Sequence, residues 1–146
     1  MNYKKILQRA TKERGNVHNI IGTLMVFNSE QIVEGIRRRW LFGKDINDGI
    51  IGTYSWKEYE MFKVSSNPRA EGNVDLTLTG ALGRGLTVKK LSNSRYEIFS
   101  TDSKFDKISK QYGIEQFNLD ERQKDELFDT LYYFALTEYL DNVWDV

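Results

Sequence analysis

Apolar positions along the chain recur with two periods, one helical and one extended. Tyr3, Ile6, Leu7 and Ala10 fall at helical spacing, with Lys4, Lys5, Gln8, Arg9 and Lys12 opposite them, which predicts a short amphipathic helix. Gly15-Asn16 reads as its C-terminal stop. Val17, Ile20, Ile21, Leu24, Phe27, Ile32 and Ile36 continue the 3.6-residue period and predict a longer helix from about Val17 to Arg39. It is either separate from the first or joined to it through a kink at Gly15.

Phe42 to Ser55 reads as a loop, with an Asn-Asp-Gly turn signal at 47–49 and a short strand at Ile50–Tyr54. Trp56 to Lys63 predicts a helical turn or two. Ser65 to Asn73 surrounds the sole proline, Pro68, and reads as a mobile surface loop. Val74-Asp75-Leu76-Thr77-Leu78 alternates in the manner of a strand, and a glycine-dense turn follows from Gly80 to Leu86. Leu86–Leu91 and Arg95–Ser100 are strands, and the Ser92-Asn93-Ser94 link makes them a hairpin. Lys104 to Tyr112 places Phe105, Ile108 and Tyr112 on one side of a helix that Gly113 ends.

The last helix opens with Asn118 as N-cap and Glu121 three residues on, a capping-box pattern. Its body carries Leu127, Phe128, Leu131, Tyr132, Tyr133, Phe134, Ala135, Leu136, Tyr139, Leu140, Val143 and Trp144. That band is wider than one packing face needs, so it implies cover on more than one side. The chain's own sheet is one cover; a neighbouring subunit or a central position in a monomer core supplies the other. Together these elements predict a single α+β domain over residues 1–146, with long N- and C-terminal helices packed on a small antiparallel sheet.

Composition narrows the chemistry. The chain has no cysteine and one histidine, which removes disulfides, thiolate metal sites, a Cys nucleophile and any multi-His site. His18 reads as a surface or satisfied helix histidine. The longest run without formal charge, Gly15 to Ser29, is fifteen residues, where a membrane span needs about 20. With no signal-peptide pattern either, the expected location is cytosolic or within an assembly.

The 21 basic and 21 acidic residues cancel, which argues against general polyanion binding. The balance hides a polarity. Residues 1–95 carry sixteen Lys/Arg and nine Asp/Glu, whereas residues 96–146 carry five and twelve. This is either a chance segregation of surface charge or the mark of one copy's basic part facing another copy's acidic part. Head-to-tail contacts of the second kind generate rings.

Candidate chemistry is sparse. Gly80 to Thr87 lacks the Walker lysine and the Gly-x-Gly-x-x-Gly spacing. Its Gly-x-x-Gly lacks the basic pair of a KH clamp. An EF-hand reading fails because Trp56 stands at the twelfth position from Asp45. Asp45 with Asp48, or Asp75 alone, offers only isolated oxygen ligands. Arg37-Arg38-Arg39 either complements the negative end of its helix or contacts phosphate or an acidic partner. No catalytic, cofactor or metal residues are assigned.

Three stretches resemble a phage family. Gly43-Lys44-Asp45-Ile46-Asn47-Asp48-Gly49-Ile50-Ile51-Gly52-Thr53-Tyr54-Ser55 resembles the Gly-x-Asp-x-Asn-Gly-x-x-Ile-Gly-x-Tyr-Ser pattern of tail-completion and virion-morphogenesis proteins of tailed phages, with one extra residue before Gly49. Val74 to Leu82 followed by Leu86-Thr87-Val88 resembles their Leu-x-x-Thr-Gly-x-Leu segment, with Gly85 where Ser is common. Tyr112-Gly113-Ile114-Glu115-Gln116-Phe117-Asn118-Leu119 resembles the approach to their last helix, with Gln116 where an apolar residue is common.

The resemblance implies a non-enzymatic head–tail connector (neck) subunit of the virion, present in the host cytoplasm during assembly. It would form a cyclic homo-oligomer that joins the portal protein to adjacent neck or tail rings, with passing contact to packaged DNA and none to membrane. The expected interface residues are Arg37, Arg38, Arg39, Asp45, Tyr54, Arg69, Tyr132, Phe134, Tyr139 and Trp144, and the loops 43–55 and 65–73 are expected to meet adjacent rings. The rival reading is a small nucleic-acid-binding protein that uses Arg37–Arg39.

Overall fold

The computed structural model describes residues 28–77, 79–92 and 95–144 together with Gln8, Lys12, Glu13, Gly15, Asn16, His18, Asn19, Gly22, Met25 and Val26; of Tyr132, Ala135, Leu136 and 138–144 it describes the backbone alone. The apolar stripes Tyr3–Ala10 and Val17–Phe27 that predicted the N-terminal helices lie outside the described residues. Gly15 and Asn16 are helical, so they form no stop. Gly15 does not take the left-handed angles that end a helix. The predicted Val17–Arg39 helix breaks at Asn28, a turn residue with φ −95° and ψ 20°.

Helix α1 (Ser29–Leu41) follows that break and buries Ile32, Val33, Ile36, Arg39 and Trp40. Their spacing is one helical face. The core adds Leu82, Leu86, Val88, Phe117 and Leu119. Phe117 is its hub: Trp40 meets its ring edge-on at 5.2 Å and Phe105 at 4.6 Å. Such edge-to-face pairs add about 0.5–1.5 kcal/mol beyond burial.

Strands β1 (Leu86–Ser92) and β2 (Arg95–Ser100) form an antiparallel hairpin, with Leu86 opposite Ser100 and Val88 opposite Ile98. The pairing shifts between Lys90 and Ser92. The fold is thus α+β, as predicted, with a two-stranded sheet. A Cβ at Gly85 would lie 2.6 Å from Ser100 Oγ and 3.0 Å from the Asp102 amide nitrogen. Only glycine fits there, and the Ser100 hydroxyl, donating to Leu82 O at 2.7 Å, fills the space. On the same face Tyr96 sits beside Gly22, and Lys90 Nζ donates to Asn19 Oδ1 at 3.0 Å. Asn19 and Gly22 therefore lie against the hairpin.

Helix α2 (Lys57–Ser66) extends the predicted turn or two. Helix α3 (Ala81–Arg84) is one turn in the glycine-dense segment. Helix α4 (Phe105–Tyr112) ends at Gly113, φ 96°, as predicted. Three expectations fail locally. The Val74–Leu78 strand does not form, because the buried Asp75 carboxylate takes the Thr77 amide at 3.1 Å and Leu76 turns left-handed, φ 53°. The Ile50–Tyr54 strand reduces to the bridges Lys44–Ile50 and Thr53–Asn73. The loop read as mobile at 65–73 carries a 3-10 turn at Pro68–Ala70 and buries Asn67 and Ala70.

Helix α5 (Glu121–Trp144) is capped two residues later than predicted. Gln123 N donates to Asp120 Oδ1 at 2.7 Å, and Asp120 N donates to Gln123 Oε1 at 3.0 Å. This is the reciprocal box of an Asp N-cap. Gln123 Nε2 also donates to Gly35 O at 2.9 Å. With half-buried Leu127 and buried Leu131 on the same stripe, this fastens α5 to α1.

Candidate functional site

The three stretches that carry the resemblance meet in space. A Cβ at Gly52 would sit 3.5 Å from Tyr112 Cε1 and 3.6 Å from Val74 Cγ2. Val74 N donates to Gly52 O at 2.9 Å. Beneath this junction lies a buried polar cluster. Lys63 Nζ is 2.6 Å from Asp75 Oδ1, and the two side chains are 3% and 1% exposed. Asn67 Nδ2 donates to Asp75 Oδ2 at 2.7 Å and to Leu41 O at 2.8 Å. Burial by itself pushes the Asp75 carboxyl up, but hydrogen bonds from Lys63, Asn67 and the Thr77 amide outweigh it and hold the group below its ordinary value. Tyr54 is held well above the usual phenol range, first by burial and then by the Asp75 charge. Burial also raises Tyr112, which stands near Tyr59.

Helix α2 covers this cluster with its polarity reversed. Lys63 is its buried residue. Its exposed residues include Met61 at 64% exposure, Phe62 at 52% and Val64 beside the polar Lys57, Glu58, Ser65 and Ser66, with Trp56 at 65% just before the helix. The Trp56 ring stacks on Tyr59 at 6.5 Å, and Tyr54 meets Tyr59 edge-on at 5.0 Å. The result is an aromatic plateau over an ionic base. Sequence reading missed it, because a helix is assumed to turn its apolar side inward. The available signal was Asp75, a carboxylate between Val74 and Leu76 that needs a buried cation.

The expected interface residues separate in space. Arg37 Nε donates to Gly83 O at 2.8 Å, and its guanidinium pairs with Glu30 and with Glu34. Arg39 is a correction: it is buried and cannot reach DNA or a partner. Its Nη1 donates to Asn118 O at 2.8 Å and its Nη2 to Gln116 O at 2.6 Å. Burial lowers its pKa, against the raising effects of Asp120 and Asp45. Arg38 alone of the three is exposed, so the arginines form no continuous basic face. Asp45 is a turn former, its Oδ1 accepting from Asn47 N and Gly49 N, both at 2.8 Å. Tyr54 belongs to the aromatic junction, and Arg69 is exposed on the 3-10 turn. Phe134 is 58% exposed. The side chains of Tyr132, Tyr139 and Trp144 lie outside the described residues.

An open groove of about 1050 Å³ runs between α1 and α5, with Ile32, Phe42, Leu127 and Phe134 among its apolar residues. Arg38, Lys44 and Arg122 face Glu30, Asp48 and Glu126 there, so the groove selects neither sign of charge. Among the described residues no three His, Cys, Asp or Glu side chains are placed to hold a metal. No described helix is long and apolar enough to cross a membrane. Comparison with protein-family models, with curated proteins and with solved structures finds no match.

Proposed function

We propose that the chain is a structural subunit of a tailed-phage neck, a tail-completion protein that joins a ring between portal and tail. The resemblance of residues 43–119 supplies the identity of the assembly. The observation that carries the reading is the reversed helix α2. Leaving Trp56, Met61 and Phe62 more than half exposed while burying a lysine forfeits much of the hydrophobic stabilisation these side chains could give the isolated chain. Their exposure has a use when another protein covers them, and aromatic and Met side chains are the types enriched at protein interfaces.

Helix α2 stands between the two loops expected to meet adjacent rings, which the Thr53–Asn73 bridge joins. On this reading the α2 plateau docks on the neighbouring portal or tail ring, while contacts between copies lie elsewhere. No catalytic role is assigned, and the exposed Arg38 is the residue of its triad left for an acidic neighbour or passing DNA.

The test is a triple variant, Trp56→Ser, Met61→Ser and Phe62→Ser, assayed for folding and for incorporation into particles. The expected result is a folded protein that no longer joins the head–tail junction. Normal incorporation of the triple variant overturns the role of α2. Absence of the wild-type chain from imaged particle necks overturns the neck reading itself.

A further inference from the structure

Outside the α2 plateau, two exposed charged rows have no ion-pair partner among the described residues. On α5 the packing stripe is Gln123, Leu127 and Leu131. At 3.6 residues per turn, Asp125 and Asp129 lie on the opposite side of the helix, and both are exposed. Aromatic rings accompany them: Phe128 is 57% exposed and Tyr133 is 69% exposed. The helix carries six acidic residues and two basic ones, and both cations are engaged along it, Arg122 with Glu126 and Lys124 with Glu121.

On α4 and at its N-cap stand Lys104, Lys107 and Lys110, all exposed, with the exposed Asp106 one turn before Lys110, so the three lysines outnumber the one carboxylate there. Exposed Ile114 follows in the next turn. Among the described residues none of these lysines, nor Asp125 or Asp129, makes an ion pair. The two rows are opposite in sign, and each has an apolar companion. Within one chain they stay apart, because α5 is fastened to α1 and α4 is seated on the core through Phe105.

We infer that the occupant of the outer face of α5 is a second copy of this chain, whose lysine row on α4 receives Asp125 and Asp129 while Phe128 and Tyr133 pack beside Ile114. The contact joins two different surfaces of the same molecule. It is therefore heterologous and propagates from copy to copy until a ring closes. Its charge pairs set register and speed encounter, and its rings supply the area. The inference rests on the ring reading and names the face by which copies meet.

The experiment is charge reversal on the full chain, read as molar mass by sedimentation at about 50 mM and about 500 mM salt, concentrations that span weak and strong screening. Circular dichroism checks that each variant folds. Wild type is expected to associate more strongly at the lower salt. Asp125→Lys with Asp129→Lys, and separately Lys107→Glu with Lys110→Glu, are each expected to weaken association by about tenfold or more, a loss of about 1.4 kcal/mol or greater. Combining all four reversals is expected to restore it.

Association unchanged by either pair of reversals overturns this contact and leaves the ring to form by another face. Loss without restoration in the fourfold variant also overturns it. A wild type that stays monomeric in solution overturns the contact while the particle imaging above still decides the neck reading.

Discussion

The Lys63–Asp75 pair permits a sharp test of what holds α2 in place. The ammonium and carboxylate are 2.6 Å apart and almost fully enclosed. Asp75→Asn keeps the shape and leaves a buried lysine without its anion. Lys63→Met removes the cation and leaves a carboxylate with only Asn67 and the Thr77 amide. Breaking one half of such a pair costs about 3–5 kcal/mol, whereas replacing both with groups of similar volume is often neutral. The double variant is therefore expected within about 1–2 kcal/mol of wild type, despite two damaging single changes. Urea unfolding reads this directly. With a slope of about 1–3 kcal/mol per molar, each single variant moves the midpoint down by about 1–5 M and the double variant moves it back. A double variant as unstable as the sum of the singles refutes the reasoning, because the two groups would then act independently.

Acid should act through the same pair. The folded-state pKa of Asp75 is lowered, so its contribution is complete above the unfolded carboxylate value of about 3.9 and disappears as pH falls through the folded value. Stability against pH should fall below about pH 4 in wild type and more gently in Asp75→Asn, as followed by tryptophan fluorescence. Arg39→Lys should lose about 1–3 kcal/mol by giving up its twin carbonyl bonds, whereas Arg38→Ala should stay within about 0.5 kcal/mol in the same melt. Gly85→Ala should cost about 1–3 kcal/mol through overlap with Ser100 Oγ, and pairing it with Ser100→Gly should recover part of that loss in thermal denaturation. Gln116→Met should stabilise by about 1 kcal/mol, because Gln116 Oε1 is buried with no hydrogen-bond partner among the described residues.

The elements legible in the sequence were those set by local periodicity. The hairpin, α4 with its Gly113 stop, and the long C-terminal helix follow from spacing and turn chemistry, and all appear where expected. The failures share a cause. Alternation at Val74–Thr77 mimics a strand, but Asp75 is inside because a lysine 12 residues upstream reaches it, and periodicity cannot register a tertiary ion pair. Likewise Arg37 and Arg39 look equivalent beside Arg38. Two residues along a helix is about half a turn, which sends Arg37 to Gly83 and Arg39 to the carbonyls before α5, so adjacency in sequence is not adjacency on a surface. The capping box moved from Asn118 to Asp120 because the 3-10 turn at Ile114–Phe117 delays the helix. Of the site, the three related stretches were legible as motifs. Their meeting at Gly52, Val74 and Tyr112 required the fold.

The main-chain carbonyl of Gln116 accepts from two consecutive residues of α1, Arg39 Nη2 at 2.6 Å and Trp40 Nε1 at 3.0 Å. Every residue type possesses that oxygen, so point mutation at 116 cannot delete the acceptor, and side chains that fit the same buried space can replace glutamine there. Heritable damage to this joint has to arise in the arginine or the tryptophan, or through an insertion or deletion that shifts the peptide out of reach. In a library of variants, tolerance at 116 beside intolerance at 39 and 40 would be the genetic signature of a fastening whose two sides evolve under unequal constraint.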